Sequence, residues 1–202
     1  MNPLYLGTHD RRLFAVYEPA AVKDRRTRMA VLCYPWGAEY VYAHRSMRQL
    51  ALKLSECGFH TLRFDYFGTG DSGGEDSEAN PATAEADVES AIEGIQDIVG
   101  VARVALIGLR LGATLAARTA KRHQENVEAL VLWDPVVRPE EAAGIAEGLP
   151  ARSLVLLTET PAVDLPGVTA ESISAPCPWI EDATISGVVP VRVIQRITEW
   201  LA

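Results

Sequence analysis

The chain is poor in several features that would direct it to particular chemistries. Its three cysteines stand in unrelated contexts, with no Cys-x-x-Cys pair and no Cys/His spacing of a metal site. We therefore expect free thiols and neither a metal nor another cofactor. No apolar run approaches the ~20 residues of a membrane span, and the N-terminus lacks the basic and apolar regions of a secretion signal. These absences favour a cytoplasmic protein without a membrane span.

Positive charge is also scarce. The 202 residues include 19 Lys and Arg against 27 Asp and Glu, which gives a net charge of -8. This balance argues against nucleic acid or an anionic membrane as the main partner. The length suits one domain, spanning residues 1–202, with a substantial apolar core.

Apolar runs of strand length alternate with segments of helical periodicity along most of the chain. The predicted strands are Leu4–Leu6, Leu13–Val16, Met29–Tyr34, Phe59–Asp65, Val104–Ile107, Val127–Trp133, Ser153–Thr158 and a short one within Val168–Ile173. The predicted helices are Ser46–Cys57, Pro81–Ile98, one that ends near His123, and Pro190–Ala202. Nearly continuous apolar strands with helices between them indicate a mostly parallel, doubly wound α/β sheet flanked by helices.

Some individual side chains can also be placed from this pattern. On the second helix the apolar residues share one face, so we expect its acidic residues, Asp87 included, mostly to face water. We expect Trp133 and Trp200 to lie in the core. Cys33 stands inside an apolar strand, where burial raises the pKa of a thiol, and a packing role is expected for it.

The stretch Gly108-Leu109-Arg110-Leu111-Gly112 joins a buried strand to a helix. A sharp turn at this place needs glycine on both flanks, because its central residue is strained and strand and helix pass closely. Here the central residue is Arg110. A guanidinium has no lone pair and keeps its proton, so Arg110 cannot act as a nucleophile.

This turn resembles the nucleophile elbow, G-x-S-x-G, of α/β-hydrolases. The segments CYPWGAEY, AHRSMRQLA, GFHTLRFDYFGTGDS and GLRLGA are similar to those of a lidless, serine-aminopeptidase-like branch. Members of that branch are found beside bacterial exopolysaccharide (exosortase-associated) and secondary-metabolite biosynthesis pathways, and an elbow Arg is familiar there. The resemblance implies an α/β-hydrolase fold, and the short connection Asp134–Arg152 implies that a lid is minimal or missing.

The same resemblance implies where a hydrolase site would stand. The backbone amides of Trp36 and Leu111 would form the oxyanion hole. The triad acid would be Glu159 or Asp164, and the triad histidine would fall within 183–189. No histidine follows His123. Both the serine and the histidine of the triad are therefore missing.

Several residues remain candidates for a role at this site. Arg110 either binds a carboxylate or phosphate of a ligand or forms a structural ion pair with Asp65, Glu39 or Asp134. His44 is the one histidine expected near the site, as a general base or as an ordinary helix residue. Trp36 and Trp179 are either pocket walls or packing residues.

The string Gly70-Asp71-Ser72-Gly73-Gly74 matches the sequence around the nucleophile of chymotrypsin-like proteases. Those proteases are all-β barrels, whereas this string follows a predicted parallel strand of an α/β chain. We interpret it as a tight loop beside the site.

Two functions remain open on this basis. The first is a pseudoenzyme that binds a small acyl or anionic ligand, or a protein partner. The second is an atypical hydrolase of ester, thioester or amide bonds, in which Arg110 holds the substrate. His44, Glu39 or Asp65 would then activate water.

Overall fold

The computed structural model of the protein describes residues 1–22, 27–158, 165–177, 179–180 and 188–202. Its strands are β1 (Asn2–Thr8), β2 (Arg11–Glu18), β3 (Arg28–Cys33), β4 (Phe59–Phe64), β5 (Val104–Leu109), β6 (Val127–Trp133), β7 (Ser153–Leu157) and β8 (Ala170–Ser172). Its helices are α1 (Ala38–Glu56), α2 (Ala84–Val99), α3 (Leu111–Arg122), α4 (Pro139–Glu147) and α5 (Val191–Leu201).

All eight strands belong to one sheet, in the order β1-β2-β4-β3-β5-β6-β7-β8. The hairpin of β1 and β2 and the pairing of β2 with β4 are antiparallel. The other neighbours pair in parallel. The predicted α/β class is therefore confirmed, with the carboxyl ends of six parallel strands at one edge.

Helices cover both faces of this sheet. Helix α1 packs against β4 and α5, while α2 packs against β3 and α3. Every residue of β5 is buried, because its side chains meet a helical layer on either side. This explains why the central strands are apolar throughout rather than alternating.

Helix α1 begins at Ala38, directly after Gly37, which has a φ of 63°. The prediction placed its start at Ser46. Val41, in the first turns of the helix, is 68 % exposed, so this part of α1 has no continuous apolar stripe from which it could be recognised. The early start brings Glu39, Tyr40 and His44 onto one helix at the carboxyl edge of the sheet.

Other parts of the fold agree only partly with expectation. The connection between β6 and β7 holds only the nine-residue helix α4, so no lid domain stands there. Trp133 is fully buried, whereas Trp200 is half-buried. The prediction that Asp87 faces water was wrong: Asp87 is 1 % exposed.

Asp87 is buried because it holds three segments together. Its carboxylate accepts hydrogen bonds from Arg11 Nε (2.8 Å) and from the Phe67 amide (3.0 Å). Burial nevertheless raises the pKa of Asp87, since desolvation outweighs these two donors.

The three cysteines are free thiols, with Cys33 and Cys177 buried. Within the ranges described above, none of the helices is both long and apolar enough to cross a bilayer.

Candidate functional site

Arg110 stands at the centre of a sharp turn between β5 and α3. Its backbone has φ 56° and ψ −122°, a conformation that non-glycine residues rarely adopt. A Cβ on Gly108 would lie 2.4 Å from Ala113 Cα, and one on Gly112 would lie 2.3 Å from the carbonyl oxygens of Cys33 and Tyr34. Both flanking positions therefore require glycine, and the turn packs directly against the end of β3.

The guanidinium of Arg110 is paired with Glu39. Arg110 Nε donates to Glu39 Oε1 and Oε2 at 3.1 and 3.3 Å, and Nη2 lies 3.1 Å from Oε1. The guanidinium carbon also lies 5.4 Å from the centre of the Trp179 ring. Of the three partners considered for Arg110, the structure selects Glu39, and the pair remains partly open, at 22 % and 31 % side-chain exposure.

Asp134 follows β6 and has a left-handed backbone, with a φ of 42°. Its buried carboxylate accepts hydrogen bonds from the amide and the hydroxyl of Thr158, at 2.8 and 2.6 Å. Asp134 therefore ties the ends of β6 and β7 together, and it forms no salt bridge with Arg110.

Asp65 follows β4 and is 6 % exposed. Tyr40 donates its hydroxyl proton to Oδ1 at 2.7 Å, and the Asp71 amide donates to Oδ2 at 3.0 Å. Burial, and then this contact with Asp65, raises the pKa of Tyr40. The two carboxylate oxygens therefore bind helix α1 and the loop after β4, and Asp65 forms no salt bridge with Arg110.

His44 lies among aromatic rings rather than beside Arg110. Its ring stacks on Tyr34 with centres 5.8 Å apart and meets Tyr40 edge-on at 5.9 Å. Partial burial, followed by the positive charge of Arg63, lowers the pKa of His44. The candidates therefore divide into two groups, with Glu39 and Arg110 in one, and with His44 and Asp65, which both contact Tyr40, in the other.

The amides of Trp36 and Leu111 stand at adjoining turns, since the elbow packs against the end of β3. Across the part of the chain that the structure describes, neither amide donates a hydrogen bond. Free amides at this place suit an oxyanion hole, and that assignment remains a prediction.

A cavity of about 290 Å³ opens between the turn after β3 and the loop after β4. It is lined by Pro35, Trp36, Gly37, Tyr40, Tyr66, Gly68, Thr69, Gly70, Asp76 and Ala79. Trp36 thus lines the cavity, which is one of the two roles that the sequence left open for it. Trp179 is not, since it is 5 % exposed and packs edge-on against Trp133, with ring centres 6.0 Å apart.

Sequence reasoning did not single out Tyr40 and Tyr66 as wall residues. Both stand within segments that carry the family resemblance: Tyr40 comes four residues after Trp36, and Tyr66 directly follows Asp65. The available signal was that both follow a strand within a few residues, because ligands of open α/β sheets bind at the carboxyl ends of the strands.

Two described residues that could replace a serine nucleophile, Ser72 and Cys33, are already hydrogen-bonded or inaccessible. Ser72 Oγ donates to the Asp65 carbonyl at 2.6 Å and accepts from the Phe14 amide at 2.8 Å. Burial raises the pKa of Cys33 to about 12 and leaves it a neutral thiol. Ser72 is therefore part of a tight loop, as predicted.

Glu159, Asp164 and the segment 181–187 lie outside the described residues. Among those that are described, no three His, Cys, Asp or Glu side chains come together to form a metal site.

The mostly parallel sheet, the strand–turn–helix elbow and the cavity at the carboxyl edge define a protein of the α/β-hydrolase fold. The sequence matches the family of serine aminopeptidases, S33, over residues 40–174. This match covers more than half of the chain, so the protein belongs to that family. A search of curated proteins finds no significant match.

Solved structures with this fold are numerous. A serine hydrolase homologue from Coxiella burnetii has a TM-score of 0.76 at 17 % identity, over 100 % of this chain and 97 % of the other. Est1E from Butyrivibrio proteoclasticus, solved with bound ferulic acid, has a TM-score of 0.72 at 12 % identity, over 98 % of this chain and 97 % of the other. A serine hydrolase without a lid from Xanthomonas campestris has a TM-score of 0.70 at 17 % identity, over 99 % and 93 %. At these identities the likeness shows the fold alone.

Proposed function

We propose that this protein is a non-catalytic member of its hydrolase family that binds a ligand or partner at the carboxyl edge of the sheet. The observation that carries the proposal is Arg110, which occupies the centre of the elbow and is paired there with Glu39. An arginine cannot form an acyl-enzyme, so this elbow is a degenerate nucleophile elbow.

The histidines support the same conclusion. His60 accepts or donates a hydrogen bond with the Tyr17 hydroxyl, and His123 contacts Glu89. His44 contacts Tyr34 and Tyr40. Among the described residues, the side chain of Arg110 contacts Glu39 and Trp179 and none of these three histidines. The sequence has no histidine after His123.

The cavity beside Trp36 is the proposed ligand site, because it is concave and has aromatic walls. An anionic ligand of Arg110 would have to displace the carboxylate of Glu39, so the paired guanidinium favours ligands that do not depend on it. A protein partner could use the same unlidded edge. The resemblance to proteins encoded beside biosynthetic pathways supports a place in such a pathway.

Fluorophosphonate labelling tests this proposal, since these probes react with activated serines. We expect no labelling above that of a heat-denatured sample, and no hydrolysis of p-nitrophenyl acetate above the buffer rate. A lidless serine hydrolase with an intact elbow serves as the positive control. Labelling of the native protein at a serine mapped by mass spectrometry would overturn the proposal.

The free amides of Trp36 and Leu111 favour a second candidate function, an atypical hydrolase. Such an enzyme would stabilise an oxyanion at these amides and use a water activated by His44, Glu39 or Asp65. Its turnover would be lost in both Arg110→Ala and His44→Ala, but kept in Lys53→Ala, a change on the exposed face of α1. Activity that survives both site variants would exclude this mechanism.

A further inference from the structure

We infer that the cavity beside Trp36 binds a small organic cation, an ammonium group carried on a compact apolar body. This inference rests on the proposed function and deepens it, because it names the chemical class of the ligand. It follows from the walls of the cavity, the charges around it and the absence of a competing cation among its lining residues.

The walls of the cavity supply aromatic surface. The rings of Trp36 and Tyr66 lie with centres 5.3 Å apart at an angle of 37°, and Tyr40 contributes a further ring. Tyr66 is held in place by the hydrogen bond from its hydroxyl to the Tyr34 carbonyl, at 3.1 Å. Aromatic faces attract cations through their quadrupole, and tryptophan does so most strongly.

The charges around the cavity are negative. Asp76 is one of the lining residues, and none of those residues is Lys, Arg or His. A Cβ on Gly70, also in the lining, would lie 2.2 Å from Asp65 Oδ2, so the buried carboxylate of Asp65 stands directly behind this wall. The whole segment 65–102 contains no lysine, arginine or histidine.

The carboxylate of Asp65 has hydrogen-bond donors but no cationic partner. Its two oxygens receive the Tyr40 hydroxyl and the Asp71 amide, and among the described residues it forms no salt bridge. The buried guanidinium of Arg63, also close to the end of β4, instead donates to the Tyr34 hydroxyl at 2.9 Å. The negative charge behind the cavity is therefore left without a direct counter-ion.

Two features near the cavity favour an anion, namely the N-terminus of α1 after Gly37 and the amide of Trp36, which donates no hydrogen bond among the described residues. A helix N-terminus is equivalent to roughly half a positive charge, and Glu39 already stands in the first turn of α1. The carboxylates of Asp65 and Asp76 each carry a full negative charge. The balance at the cavity therefore favours a cation.

Choline and its uncharged isostere 3,3-dimethylbutan-1-ol are suitable probes, because they have nearly the same shape and differ in charge. We expect isothermal titration calorimetry of the full chain to show choline binding about tenfold more tightly than the isostere. The difference should shrink as salt is raised, because Asp76 is exposed to solvent.

Matched variants assign this binding to the cavity. Trp36→Leu removes the aromatic face and should weaken choline binding about tenfold, whereas Trp36→Phe should retain most of it. Asp76→Asn removes the lining charge and should weaken binding several-fold. Asp97→Asn makes the same change in net charge on the exposed face of α2, away from this cavity, and should leave binding unchanged. Circular dichroism of each variant checks that it is folded.

Three results would overturn the inference: no binding of choline, equal binding of choline and its isostere, or equal effects of Asp76→Asn and Asp97→Asn. Equal binding would identify the cavity as an apolar site only. None of these results touches the proposed function, which fails separately if a fluorophosphonate labels the native protein. The two conclusions are thus tested by independent measurements.

Discussion

Arg110 combines an unfavourable backbone conformation with a partly desolvated charge. The left-handed φ of 56° makes the backbone of the turn strained. The carboxylate of Glu39 offsets the free-energy cost of partly desolvating the guanidinium. The sequence predicted Glu39 as one of three partners and could not choose among them. Arg110 pairs with Glu39 because the early start of α1 brings Glu39 close to the elbow. The carboxylates of the other two expected partners are hydrogen-bonded elsewhere, that of Asp134 to Thr158 and that of Asp65 to Tyr40.

Glu39→Gln is expected to lower the free energy of unfolding by about 0.5–1 kcal/mol, because the ion pair is partly exposed and screened by solvent. Urea denaturation would measure this change. A double-mutant cycle with Arg110→Met should show that most of the effect depends on the partner. Glu56→Gln, in an exposed pair with Lys53, is the control and should have almost no effect. If Glu39→Gln lowered the free energy of unfolding equally with and without Arg110, the ion pair would contribute nothing to stability.

At the scale of elements, the elbow depends on close approach between α3 and the end of β3. The sequence predicted this from two glycines at fixed spacing, and the prediction holds because no side chain fits between the two backbones. The start of α1 was not predictable in the same way, since the exposed Val41 interrupts the apolar pattern on which the assignment relied. Asp87 was misplaced for a related reason: an acidic residue on an amphipathic helix usually faces water, and only its partners, Arg11 and Phe67, reveal the exception.

Gly112→Ala should lower the free energy of unfolding by about 3 kcal/mol or abolish folding. The added methyl group would meet two backbone carbonyl oxygens at 2.3 Å, and neither can move without displacing β3. Gly144→Ala, in α4, is the matched control. Its Cβ would meet nothing nearer than Lys121 Nζ at 4.0 Å, so it should stabilise the helix by about 0.5–1 kcal/mol. Thermal unfolding compares the two, and a mild effect of Gly112→Ala would contradict the packing described.

At the scale of the whole molecule, a hydrolase site is assembled from loops that are far apart in sequence. The strand order and helix α4 were not predicted, but the alternation of strands and helices followed from apolar patterning, which is why the α/β class could be predicted. The cavity could not, because it depends on how the turn at Trp36 and the loop at Gly68 and Gly70 approach each other. The same dispersal means that one substitution cannot complete a hydrolase triad in this chain.

Arg110→Ser recreates the elbow serine but not the base that activates it. Loss of the histidine alone costs a serine protease about as much in kcat as loss of the whole triad, roughly 10⁶-fold. We therefore expect Arg110→Ser to hydrolyse p-nitrophenyl acetate no more than about tenfold faster than the wild-type protein. Efficient hydrolysis by this variant would reveal a base recruited from elsewhere, and adding His44→Ala would show whether it is His44.

The ion pair at the elbow also makes positions 39 and 110 depend on each other. A chain with serine at position 110 and Glu39 retained would hold a carboxylate at the elbow, where a hydrolase stabilises a developing negative charge. A chain that lost Glu39 alone would carry an unpaired guanidinium on a strained backbone. Each single change is therefore unfavourable without the other, so we expect the two positions to covary among related sequences.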